Sequence, residues 1–238
     1  MVPPPAVSRQ SLGQLVNIPA LLHLAKVMRH PSYLVPHDVS ALDKIDIAKL
    51  KRRGIKYIVF DKDNTICKPY ESEVYDKFKE KVEEFKCCFP NSVAFLSNSA
   101  GSSDDMDFCE ALQVERATGI PVIRHALKKP GCVADVLGFF SAENRDRVIG
   151  GASSETSGHR AEGAAVDGHR AEVLPREICV IGDRLLTDVV FANANGMVSI
   201  FVPQITNEND NRLAVCIRVV ERKVLLPIFS WLCGNKEL

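Results

Sequence analysis

Asp61 and Asp63 stand two residues apart at the end of the apolar run Tyr57-Ile58-Val59-Phe60, and Asn64 and Thr65 follow directly. A run of that length and composition reads as a buried strand. In an open α/β sheet, chemistry gathers just beyond the carboxyl ends of strands. Two carboxylates there can supply a nucleophile and a proton-transfer group, or hold a divalent cation. Alone, the pair fits a solvated turn after a strand equally well. Further polar groups shift that balance. Ser97 follows the apolar run 92–96, Lys129 lies in Lys128-Lys129-Pro130-Gly131, and Asp183 and Asp188 follow the run 177–181.

The residues between these groups alternate strand and helix. Helices are expected over 41–53, 71–86, 104–116, 132–140 and 185–195, the second with Val74, Phe78, Val82 and Phe85 on one face. Strands are expected over 57–60, 92–96, 121–123, 177–181 and 198–202, and a last amphipathic helix over 209–223. The alternation predicts an α/β fold, a three-layer Rossmann-like parallel sheet of about five strands.

The flanks read differently. Residues 1–40 form an N-terminal extension, acid-free through 37. Within it Leu15, Ile18, Leu21, Leu22, Ala25 and Met28 fall at helical spacing. Such an amphipathic helix can pack on the domain, lie on a membrane surface or serve as an acid-poor organellar address. Residues 150–172 are rich in Gly, Ala and Ser and contain Gly-His-Arg-Ala-Glu twice, at 158–162 and 168–172. They read as a disordered, duplicated insertion in a domain running from 41 to 238. The apolar tail 224–231, broken by Pro227, is too short to span a bilayer and suits packing on the core or contact with lipid.

Composition excludes some classes. Thirty basic and thirty acidic residues leave no net charge, so no global field favours nucleic acid, and no basic stripe marks a nucleic-acid surface. Eight scattered cysteines without a C-x-x-C pattern suit a reducing compartment rather than a disulfide framework or zinc site. No apolar run reaches the roughly 20 residues of a membrane-spanning helix.

Taken in order, Asp61-Lys62-Asp63-Asn64-Thr65, Ser97, Lys129 and Gly182-Asp183-Arg184-Leu185-Leu186-Thr187-Asp188 resemble the signature of the haloacid dehalogenase superfamily of phosphohydrolases. The resemblance implies that Asp61 attacks phosphorus to form an aspartyl-phosphate and that Asp63 is the acid and base. It further implies a magnesium ion on Asp61, the backbone carbonyl of Asp63, and Asp183, with Asp188 and Thr65 as outer support. Ser97, Asn98 and Lys129 would hold the phosphoryl oxygens, Lys128 being the alternative to Lys129. Lys62, Lys68 and Arg184 are candidates for a second anionic group of the substrate. In-line attack, charge neutralisation and a proton donor are what phosphoryl transfer requires.

One helix fills the span from Asp63 to Ser97, and a helix plus the insertion fills the span from Lys129 to Asp183. Neither has room for a cap domain. An uncapped site shields a small substrate poorly from water, and capless members of the superfamily tend to act on proteins, nucleic acids or lipids. More closely, residues 59–65, 96–101, 128–131 and 180–188, with Pro31-Ser32-Tyr33-Leu34-Val35-Pro36, are similar to the mitochondrial phosphatidylglycerophosphatase family. That likeness implies dephosphorylation of phosphatidylglycerophosphate for cardiolipin synthesis. It also implies peripheral attachment at the matrix face of the inner mitochondrial membrane, or a plastid setting in a photosynthetic source. Two other readings stand beside it: a capless phosphatase for another phosphomonoester, and a non-catalytic phosphate- or membrane-binding module.

Overall fold

Five parallel strands lie in the order β1-β5-β4-β2-β3: β1 (Asp38–Val39), β2 (Tyr57–Phe60), β3 (Val93–Phe95), β4 (Ile178–Gly182) and β5 (Val198–Phe201). The structure is a computed structural model and describes residues 29–141, 173–206 and 218–234. The expected helix within 12–28, the insertion at 150–172 and the 209–217 part of the last expected helix lie outside the described residues.

Side chains on the central strands alternate between two cores. Ile58, Phe60, Val93, Phe95, Cys179, Ile181, Val198 and Ile200 face one core, which α1 (Ile47–Arg52), α2 (Lys79–Cys88) and α3 (Cys109–Thr118) cover with Leu50, Phe85 and Val114. Tyr57, Val59, Ala94, Ile178 and Val180 face the other, covered by Val136 and Phe140 of α4 (Val133–Phe140) and by Phe191 of α5 (Val190–Ala194). Burial on both faces explains why β2 reads as an unbroken apolar run. The arrangement is the expected three-layer α/β fold.

One expected strand is replaced. Residues 121–123 make a single bridge, Phe95 to Val122, because Pro121 has no N–H to extend a ladder. The fifth strand is instead β1, at the opposite edge. There the His37 N–H donates to Ser199 O at 3.0 Å and the Ser40 N–H to Phe201 O at 3.1 Å. Asn193 secures this stretch, its Nδ2 donating to the carbonyls of Tyr33 (2.8 Å) and Val35 (2.9 Å).

Helices begin later than expected wherever an aspartate caps them. Asp46 accepts from the Lys49 N–H at 2.9 Å, so α1 starts at Ile47. Asp105 accepts from the N–H groups of Glu110 and Ala111, both at 2.9 Å, ahead of the body of α3. The expected helix at 185–195 opens as a π-turn, Leu185–Val189, before becoming α5. Residues 218–233 are helical throughout, with a π segment at Glu221–Leu225 leading into α6 (Leu226–Cys233). The inward side chains Leu225, Leu226 and Phe229 pack on a third cluster built from Leu34, Leu185, Val189, Val190 and Phe201.

Candidate active site

The sheet's hydrogen bonding continues one residue past β2. The Asp61 N–H donates to Ile181 O at 2.9 Å, and the Leu96 N–H donates to Phe60 O at 2.8 Å. Asp61 and Ser97 are thereby fixed at adjacent strand ends, with Asp183 directly after β4. Carboxylate oxygens of Asp61, Asp183 and Asp188 lie within 4.8 Å of one another. Lys129 enters this group, its Nζ 2.6 Å from Asp61 Oδ1 and 2.5 Å from Asp188 Oδ1. Burial alone would lower the Lys129 pKa, but Asp188 and Asp61 outweigh it and hold the ammonium above its usual range. The Thr65 hydroxyl lies 3.4 Å from Asp61 Oδ2.

Asp188 reaches the cluster because residue 182 has no side chain. A Cβ at Gly182 would overlap the Asp188 carboxylate, whose Oδ2 accepts the Arg184 N–H at 3.2 Å. Asp183 is fully buried. Its Oδ2 accepts from Arg218 Nε at 2.6 Å, while its Oδ1 has no hydrogen-bond partner. Burial pushes its carboxyl above the usual range against the pull of Arg218, and the charges of Asp61 and Asp188 add to the rise. An orphaned buried oxygen beside two further carboxylates fits a hard divalent cation such as magnesium, which takes oxygen ligands.

Asp63 faces away from that cluster. Its Oδ1 lies 2.9 Å from Lys62 Nζ, and its Oδ2 accepts from the Ser99 hydroxyl at 3.0 Å and lies 3.5 Å from Ser97 Oγ. Burial raises its carboxyl, Lys62 opposes the rise, and Asp61 adds to it. Its side chain nevertheless keeps 32% exposure. Lys62 is itself buried and also bonds Glu110 Oε1 at 3.0 Å and Glu71 O at 3.3 Å.

The serine and lysine loops are tied together. Asn98 Oδ1 accepts the Lys129 N–H at 2.9 Å. The His125 ring sits with Nε2 2.7 Å from Ser97 O and Nδ1 2.8 Å from Leu127 O. Lys128 turns outward to Asp104 Oδ2 at 2.5 Å, so Lys129 is the lysine at the carboxylates. Lys68 is also peripheral, over the Tyr75 ring at 5.5 Å and 4.0 Å from Glu71. Arg184 has a buried Nε without a hydrogen-bond partner.

Sequence reasoning did not single out Arg218, Glu221, His125 or Glu110. Glu221 accepts the N–H groups of Leu185 (3.2 Å) and Leu186 (3.3 Å), the backbone between Asp183 and Asp188. The first part of that helix carries four charges, Arg218, Glu221, Arg222 and Lys223, and only burial separates the two that face the site from the two that face outward. His125 and Glu110 lie in unremarkable contexts and left no signal. Ser99 is free to bond Asp63 because Asp105 accepts the first N–H groups of α3. A separate cleft of about 580 Å³ lined by His37, Arg53, Lys56 and Arg176 lies at the other end of the sheet, ahead of β2 and β4.

A parallel three-layer sheet with aspartates at the ends of two neighbouring strands, a lysine between them and a Gly-Asp turn defines a haloacid dehalogenase-like hydrolase. A family model described as HAD-hydrolase-like matches residues 159–214. The model described as mitochondrial PGP phosphatase matches residues 18–153, more than half of the chain, and the chain belongs to that family. Phosphatidylglycerophosphate phosphatase 1, chloroplastic/mitochondrial, of Arabidopsis thaliana is 30% identical over 227 residues, covering 94% of this chain and 56% of that protein. Phosphatidylglycerophosphatase GEP4, mitochondrial, of Saccharomyces cerevisiae is 30% identical over 188 residues, covering 79% of this chain and 87% of its own length. The chloroplastic phosphatidylglycerophosphate phosphatase 1 of Chlamydomonas reinhardtii is 32% identical over 193 residues, 80% of this chain and 60% of that protein. The chain thus spans little more than half the length of the two photosynthetic relatives. No solved structure matches it. Among the described residues, no helix is long and apolar enough to cross a membrane.

Proposed function

We propose that the chain is a magnesium-dependent phosphatase that hydrolyses phosphatidylglycerophosphate to phosphatidylglycerol and phosphate, a step of cardiolipin synthesis. The observation that carries this reading is the meeting of the Asp61, Asp183 and Asp188 carboxylates, with Lys129 on Asp61 and Asp188 and one Asp183 oxygen buried without a hydrogen-bond partner, in a chain of this family. In this reading Asp61, the backbone carbonyl of Asp63, and Asp183 hold magnesium, with Asp188 and Thr65 behind them. When bound, the ion neutralises the phosphoryl oxygens that would repel the incoming carboxylate.

Asp61 attacks phosphorus in line, and the bond from phosphorus to the glycerol oxygen breaks as the aspartyl-phosphate forms. Asp63 gives its proton to the leaving oxygen. It then takes a proton from the water that attacks the acyl phosphate, releasing inorganic phosphate and restoring Asp61. Its raised pKa favours the protonated start of that cycle. Ser97 and Lys129 hold the phosphoryl oxygens, and Asn98 positions Lys129 through the backbone. Of the three cations weighed for a second anionic group, Lys62 is committed to Asp63 and Glu110, and Lys68 to the Tyr75 face. Arg184, with its orphaned Nε, is the best supported for the lipid's internal phosphodiester.

The organisation proposed with it is a capless catalytic domain over 41–238 with an insertion at 150–172. The extension over 1–40 has its residues 31–40 seated on the sheet. The proposed setting is peripheral, at the matrix face of the inner mitochondrial membrane, or a plastid in a photosynthetic source. The test is phosphate release from phosphatidylglycerophosphate in mixed micelles, with and without magnesium. Release is expected to need the ion and to vanish in Asp61→Asn. Equal rates on soluble phosphomonoesters would remove the lipid assignment, and equal rates in chelator would remove the metal.

A further inference from the structure

The helical run 218–233 carries apolar side chains on both sides. Its inward side is accounted for by the cluster around Leu34, Leu185 and Phe201. Its outer side exposes Val220, Val224, Ile228 (50%) and Trp231 (85%), at spacings of four, four and three residues. Spacings of that kind put side chains on one helical face. An outward face of a surface helix is ordinarily polar, and a contiguous apolar stripe marks a contact surface. The charged side chains exposed beside it are Arg222 and Lys223, while the acidic Glu221 is turned inward onto the amides of Leu185 and Leu186.

We propose that this outer face docks on an anionic bilayer, with Ile228 and Trp231 among the acyl chains and Arg222 and Lys223 at the headgroups. The surface rests on the phospholipid reading above. Charge decides between occupants. Residues 1–37 contain Arg9, Lys26 and Arg29 and no acidic residue, so that segment has nothing to neutralise Arg222 and Lys223. A second copy of the chain presents the same acid-free face. Anionic headgroups supply the missing charge, and an indole beside a basic pair is the usual composition of an interfacial helix. The same helix contributes Arg218 to Asp183 and Glu221 to the backbone before Asp188. Docking therefore holds against the lipid surface the same helix that secures Asp183 and the backbone before Asp188.

Trp231 is the sole tryptophan of the chain, so its emission reports this face and no other. The full chain is titrated with phosphatidylcholine vesicles, with and without phosphatidylglycerol, and with vesicles carrying brominated acyl chains. The expected result is a blue shift and bromolipid quenching that depend on the anionic lipid and weaken with salt. Arg222→Glu with Lys223→Glu is expected to lower vesicle affinity by roughly tenfold or more. Ile228→Glu is expected to do the same without lowering the melting temperature, since its side chain is half exposed. Unchanged emission at lipid concentrations that sediment the chain would overturn the proposal, because the membrane would then be held elsewhere. Emission already blue-shifted without lipid would also overturn it, assigning the face to residues 1–28 or, if concentration-dependent, to a second copy. These vesicles contain no phosphatidylglycerophosphate, so docking and substrate assignment stand or fall separately.

Discussion

Arg218 reaches Asp183 from the far end of the chain, its Nε 2.6 Å from Oδ2, and leaves Oδ1 buried with no hydrogen-bond partner. Removing one member of a buried pair strands the other charge in a low-dielectric setting. Arg218→Met is expected to cost about 3–5 kcal/mol of stability, measured by urea denaturation. Adding Asp183→Asn should recover part of that loss, because the uncompensated charge goes with it. A double variant no more stable than Arg218→Met would show that the pair is not coupled.

The two adjacent lysines should behave very differently. Lys129 bridges Asp61 and Asp188, whereas Lys128 pairs with Asp104 at the surface. Loss of one charged contact to a developing transition state typically costs about 10²–10³ in rate. Lys129→Ala is expected to fall by that order in phosphate release, and Lys128→Ala to stay within a fewfold of the parent. Comparable losses in both would contradict the assignment of Lys129.

Gly182→Ala tests the tight approach of Asp188. The added Cβ would overlap the Asp188 carboxylate, and overpacking of this kind costs about 1–3 kcal/mol. Because Asp188 also holds Lys129, a drop in turnover should accompany the lowered melting temperature. A variant with parental stability and rate would mean that Asp188 moves aside freely.

Acid sensitivity should trace in part to Asp105. Burial works against its charge, yet the N–H groups of Gly101, Glu110 and Ala111 outweigh burial and hold its carboxyl below the usual range. A depressed folded pKa contributes stability above the unfolded value and loses it as pH falls through the folded one. Asp105→Ala should cost about 1–2 kcal/mol near neutrality. The gap to the parent should narrow below the ordinary carboxylate range. A gap independent of pH would assign the effect to packing instead.

The strand ends were legible because chemistry there is local in sequence: Asp61 and Asp63 abut an apolar run, and Gly182-Asp183 closes another. The buried strands announced themselves through length and apolar composition. What escaped was held by distant partners. β1 is two residues long and exists through its register with β5, so no period-2 pattern could form. The apolar Val122-Ile123 suggested a strand, but Pro121 limits that segment to a single bridge. Arg218 and Glu221 reach the site only because the last helix folds back onto Leu34 and Leu185, a contact no spacing encodes. His125 and Glu110 became visible only when loops far apart in the chain came together.

The bonds from Asn193 to Tyr33 and Val35, and the pairing of β1 with β5, set how far the chain tolerates shortening. A polypeptide starting at residue 41 would leave β5 as a bare edge and strip Asn193 of both its carbonyl acceptors. Unpaired edges of that kind recruit neighbouring molecules, so such a fragment should aggregate. One starting at residue 29 keeps the seam closed.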